Sequence, residues 1–148
     1  MNAVLRRRLA RANTLYVDLV DTVTPAHLGS RLADLPSDTV GHQLWCVLGA
    51  RESFPAAARA GQWQGFTSPV EGEQLTDPAA LRAALESTAA DVDAWVEGLS
   101  SDDEQSFAYA LALLEHETQH HGQLIRYLYA LDIPRPATWR EQYALDEE

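Results

Sequence analysis

The sequence predicts an all-α protein folded as a four-helix bundle, in a single domain spanning residues 1–148. Three observations predict it. Apolar residues recur at helical spacing through four stretches of comparable length, the pattern of amphipathic helices. Nothing alternates with the period of two that a half-buried strand requires. Proline and glycine punctuate the chain between those stretches, and no repeat or low-complexity linker divides it. Helices of that kind bury their apolar stripes by packing on one another.

The first helix is expected from about Ala3 to Val23, with Val4, Leu5, Leu9, Ala12, Leu15, Tyr16, Leu19, Val20 and Val23 on its apolar stripe. Pro25 ends it, because a proline disfavours helix in the residue before it. A connector over Gly29 to Asp34 and Pro36 leads to a second helix capped by Ser37 or Asp38. That helix carries Val40, Leu44, Val47, Leu48 and Phe54. Pro55 interrupts or kinks it and Gly61 stops it. Gly61 to Thr76 has no clean period and holds Trp63 and Phe66. An aperiodic loop that long in a compact domain tends to be functional.

Asp77-Pro78 starts the third helix, with Asp as N-cap and Pro at the first position. It carries Leu81, Leu85, Val92, Trp95 and Val96 and ends at Gly98. Acidic residues from Ser100 to Glu104 favour the positive end of a fourth helix dipole. That helix runs from about Asp103 to Leu131 and stops before Asp132 and Pro134. Trp139 and Tyr143 mark a short packed helix in the tail.

Composition narrows the function classes. Eleven basic against 22 acidic residues give a net charge of −11. Such an excess repels polyanions, so neither nucleic acid nor an anionic membrane surface is an expected partner. All eleven basic residues are Arg, which excludes Lys chemistry: no Schiff base and no P-loop Lys. Cys46 is the single cysteine, so there is no disulfide framework and no C-x-x-C pair, in keeping with a reducing cytoplasm. No run is apolar enough for a transmembrane helix, and Arg6, Arg7 and Arg8 lead into no signal-peptide core.

The chemistry concentrates in Glu115-His116-Glu117-Thr118-Gln119-His120-His121. Residues four apart share a helix face, so His116 and His120 can aim both rings at one point. Both fall on the stripe of Leu113, Leu124 and Tyr127. Imidazoles turned into a core need partners, and a metal satisfies two at once. The bland alternative is a pair of histidines bonded to carboxylates such as Glu52 or Glu117. The second helix offers further ligands, His42 and Cys46, again four apart. A free cysteine also behaves as a small buried hydrophobe, which keeps Cys46 open. His121 is expected beside the site or on the surface, and His27 in solvent. Read literally, His116 to His120 is H-E-x-x-H, with Glu117 as the general base of a zinc protease. The extended form is missing: Gln123 and Arg126 stand where it needs Gly and His.

The stretch Thr39-Val40-Gly41-His42-Gln43-Leu44-Trp45-Cys46-Val47-Leu48-Gly49-Ala50-Arg51-Glu52, followed downstream by His116-Glu117-Thr118-Gln119-His120-His121-Gly122-Gln123-Leu124, resembles the DinB/YfiT superfamily. Four helices in order and the Pro134 that follows fit the same pattern, so the resemblance spans most of the chain. It implies an antiparallel four-helix bundle that holds a divalent metal, zinc or nickel, on three histidines and forms a homodimer. Activities in that superfamily include thiol S-transferases and a mycothiol-dependent isomerase. Position by position, His116 and His120 match the H-x-x-x-H ligands, and His121 stands where an Arg is usual. The first ligand histidine falls at Cys46, with His42 one turn earlier. Three outcomes stay open: a Cys-His-His site, a site that uses His42, or a vestigial one.

With the metal comes a chemical expectation. A metal-bound thiol is deprotonated and becomes a nucleophile at neutral pH. The reaction expected is transfer of a low-molecular-weight thiol to an electrophile, with Glu117 as the candidate base and Trp45, Trp63 and Phe66 along an apolar pocket. Its rivals are a non-enzymatic, metal- or redox-responsive, stress-associated dimer and a bundle with a vestigial site.

Overall fold

The computed structural model describes residues 1–146. Their regular secondary structure is all helical, with no strand among them. Four long helices dominate: α1 (Asn2–Thr22), α3 (Val40–Ala60), α4 (Pro78–Glu97) and α5 (Glu104–Ala130). Between them lie a short α2 (Pro25–Leu28) and a 3-10 turn (Gly72–Thr76), and α6 (Ala137–Tyr143) closes the chain. Among the described residues no helix is long and apolar enough to cross a membrane.

Most boundaries follow the punctuation. Asp77 caps α4 by accepting from the Ala79 and Ala80 N–H groups, with Pro78 in the first turn. Gly61 ends α3 at φ 71°, a conformation that costs glycine nothing. Four expectations are corrected. Pro25 ends α1 but opens α2, where its missing N–H would have no intrahelical partner anyway. His27 is half-buried rather than solvated and caps that turn, its Nδ1 accepting the Thr24 N–H at 3.2 Å. Thr39, rather than Ser37 or Asp38, caps α3. The chain enters that helix later because the Val40 N–H donates to Ser30 O, and the Ser37 hydroxyl accepts the Leu32 N–H. Pro55 does not interrupt α3, which runs unbroken to Ala60 and stops at Gly61 as expected.

Side-chain pairs give the directions. Arg6 meets Asp93 and Glu97 while Asp21 meets Arg82, so α1 and α4 run oppositely. Gln43 meets His120 while Phe54 meets Tyr109, so α3 and α5 run oppositely too. Apolar residues form two clusters. One holds Leu15, Tyr16, Leu44, Leu48, Leu85, Leu124 and Trp139; the other holds Leu5, Leu9, Ala50, Val92, Phe107 and Leu113.

The long helices pass from one cluster to the other through a polar layer. Asn13 on α1, Arg51 on α3, Thr88 on α4 and Glu117 on α5 occupy it. Arg51 donates to both Glu117 oxygens, at 2.7 and 3.1 Å, and to Asn13 Oδ1, Leu85 O and Thr88 Oγ1. The Tyr16 hydroxyl donates to Glu117 O at 2.5 Å. One arginine thus ties all four long helices, with its side chain only 2% exposed and that of Glu117 1%.

Candidate functional site

The antiparallel pairing of α3 and α5 brings Cys46 beside the two histidines four apart on α5. The ligand-type atoms of Cys46, His116 and His120 all lie within 4.8 Å of one another. Cys46 Sγ is 3.5 Å from His116 Nε2. Tetrahedral zinc, with bonds of about 2.3 Å to sulfur and about 2.05 Å to nitrogen, needs an S···N separation of ~3.6 Å. That one edge of a coordination tetrahedron is already formed. The two imidazoles stand 4.6 Å apart at 64°. His116 Nδ1 is buried with no hydrogen-bond partner. The donor set fits zinc or another borderline-soft divalent ion.

Gln43, one turn before Cys46, orients the second histidine. Its Oε1 lies 2.6 Å from His120 Nδ1. An amide oxygen only accepts, so Nδ1–H donates and Nε2 keeps a free lone pair. Burial, followed by the neighbouring His116, lowers the His120 pKa to about 4. Burial lowers that of His116 as well. Both rings are therefore neutral near pH 7, the state a metal takes. Burial, with Asp38 adding, raises the Cys46 thiol, so binding displaces a proton from sulfur. Gln43→Leu is expected to weaken zinc binding by about 10–100-fold with the fold intact, as losses behind a ligand histidine do. Competition against a chromogenic chelator reads this, and an unchanged affinity would remove Gln43 from the site.

The remaining candidates lie elsewhere. His42 is outside the convergent group: its Nδ1 is 3.0 Å from Asp38 Oδ2, and its ring stacks on Trp45 at 4.6 Å. On α3 it sits one turn too far toward the N-terminus to meet His116. Glu117 is neither solvated nor free to act as a base, because Arg51 takes both of its oxygens. It points away from its histidine neighbours, since adjacent helical residues do not share a face.

His121 is buried, not on the surface. It packs at 4.4 Å on Tyr16 and 5.1 Å on Trp139, with Nδ1 2.7 Å from the Tyr143 hydroxyl and Nε2 without a partner. Burial lowers its pKa from 6.5 to about 4. The folded state thus holds the neutral ring, while the unfolded chain takes a proton near pH 6.5. Its contribution is complete above pH 6.5 and is lost as pH falls toward 4, on the order of 3 kcal/mol for a shift of that size. His121→Phe should flatten the fall of unfolding free energy between those pH values. Equal slopes in variant and wild type would refute the assignment.

The aperiodic loop does reach the site. The Thr67 N–H donates to Ser53 Oγ, Ser68 Oγ donates to Trp45 O, and Val70 is buried, so the loop lies along α3. Two glycines permit the approach. A Cβ on Gly49 would sit 2.3 Å from the Phe66 ring, and one on Gly41 would sit 2.0 Å from Leu75 O. Phe66 meets Trp45 at 4.9 Å, and Trp63 meets Phe54, which in turn faces His116 at 6.1 Å. Trp63 is 51% exposed and Phe66 37%. Sequence reasoning missed Gln43 and Arg51. An Arg inside the apolar run of α3 was the available signal for the second; a single glutamine in the first turn of a helix is no signal at all.

No family model, curated protein or solved structure matches this chain.

Proposed function

We propose that Cys46, His116 and His120 bind one divalent ion, zinc or nickel, in a four-helix bundle of the DinB/YfiT type, and that the chain transfers a low-molecular-weight thiol to an electrophile. One observation carries the reading: a thiol and two neutral imidazoles from two helices converge within 4.8 Å. Three protein ligands leave a fourth position open, as catalytic zinc sites do. The bound ion would supply Lewis acidity and hold a thiol as thiolate there. The protein's own residues do the rest. Gln43 fixes the His120 tautomer, and the Arg51–Glu117 pair holds α3 and α5 in register. The exposed edge of Trp63, linked to His116 through Phe54, offers an apolar surface near the ligands.

The test is an assay of zinc- and nickel-loaded protein with several small thiols and a chromogenic electrophile. A metal-dependent rate with at least one thiol is expected; none with any would end the transferase reading. The rival, a metal- or redox-responsive homodimer, draws on the partly buried lone thiol. It requires that alkylating Cys46 change assembly, which sedimentation measures directly.

A further inference from the structure

A cleft on the far side of the polar layer has no part in the thiol-transfer proposal. It lies between α1 and α4 and encloses about 360 Å³, within the range of small-ligand sites. The gap exists because small residues face each other there: Ala10 on α1 against Ala89 and Ala90 on α4. Leu9 and Val92 make its walls apolar. The buried Arg51–Glu117 pair closes the inner end, beside Asn13, and the Arg6–Asp93 pair lies toward solvent.

We infer that this cleft binds a small neutral molecule with an apolar, ring-sized body and one hydrogen-bond-accepting head. Charge decides the neutrality. Two cations and two anions line the cleft, and each is matched at 2.7 Å, Arg51 by Glu117 and Arg6 by Asp93. An ion of either sign entering would lose hydration and find no free counter-charge. The accepting head follows from the inner end. Arg51 bonds Glu117, Asn13, Leu85 and Thr88 and keeps at most one Nη2 N–H, so the inner end presents donors rather than acceptors. Asn13 Oδ1 is taken by that arginine, so what Asn13 has left to offer is its Nδ2 donor. A carbonyl or hydroxyl answers it; an ammonium does not.

Benzamide is the probe, with benzoate and benzylamine as charged counterparts of similar shape. Each is titrated into the full-length protein and followed in nitrogen–proton correlation spectra. Benzamide is expected to shift the amides of α1 and α4 that border the cleft and to bind at least tenfold more tightly than either ion. Ala90→Phe fills the exposed side of the cleft and should weaken benzamide at least tenfold. Ala10→Phe, from the opposite wall, should do the same and decides the matter if the first variant unfolds. Cys46→Ala should leave benzamide binding unchanged, which separates this inference from the metal reading. Absence of shifts at the cleft, equal binding of the charged counterparts, or full affinity in a folded Phe variant would each overturn it.

Discussion

Arg51→Met is expected to lower the unfolding free energy by about 3–5 kcal/mol, as much as truncating a large core side chain. The reason is what it leaves behind. Glu117 is 1% exposed in its side chain and has both oxygens on Arg51. Without the guanidinium, a carboxylate sits between two apolar clusters with no counter-charge, and Asn13, Leu85 O and Thr88 lose a donor as well. The pair as a whole is a different matter, because desolvating two ions offsets most of their attraction. Arg51→Met combined with Glu117→Met should therefore regain most of the loss. Urea unfolding at pH 7 gives all the values. A cost for the single variant below about 1 kcal/mol, typical of an exposed pair, would mean that the layer is wet.

The double variant also separates stability from register. Arg51 lies five residues after Cys46, and Glu117 directly follows His116. Their bond fixes how far α3 can slide along α5, and thus the 3.5 Å between Cys46 Sγ and His116 Nε2. A folded double variant should hold zinc about 10–100-fold more weakly, as other losses behind a metal ligand do. Wild-type affinity would show that apolar packing alone sets the register.

Periodicity and punctuation carried most of the helix plan, since an apolar stripe with Asp77-Pro78 or Gly61 at its end leaves few choices. They failed where a residue works through a distant partner. Pro25 reads as a stop from its own sequence, yet Thr24 and His27 cap each other around it. Ser37 and Asp38 are better caps than Thr39 by type, and the Ser30 carbonyl that takes the Val40 N–H decides against them. The same holds at the site. The i, i+4 spacing of His116 and His120 is local and was legible. That Cys46 rather than His42 faces them depends on the vertical register of two helices 70 residues apart in sequence. Arg51 bonds across that register to Glu117, which the H-E-x-x-H pattern had marked as a base. A motif names residue types at a spacing; it does not say which face turns inward.

Cys46→Ala is expected to take the protein from about one zinc per chain to none, measured by elemental analysis of untagged protein purified without chelator. Affinity should fall by more than ~100-fold, beyond the range of losses behind a ligand, because a ligand itself is gone. His42→Ala should retain its metal, since His42 faces Asp38 instead. Cys46→His tests the geometry more sharply. It builds the three-histidine set that the superfamily resemblance implies, at the same helical position. Binding should return, but with a harder ligand set and without the thiol whose proton must leave. Cobalt makes the difference visible: the wild type should show a thiolate-to-metal charge-transfer band that the histidine variant lacks. Retention of metal by Cys46→Ala would remove the thiol from the ligand set. Failure of both wild type and Cys46→His to bind any divalent ion would leave a half-buried and a buried imidazole with a structural role only, and the thiol-transfer proposal would fall with the metal.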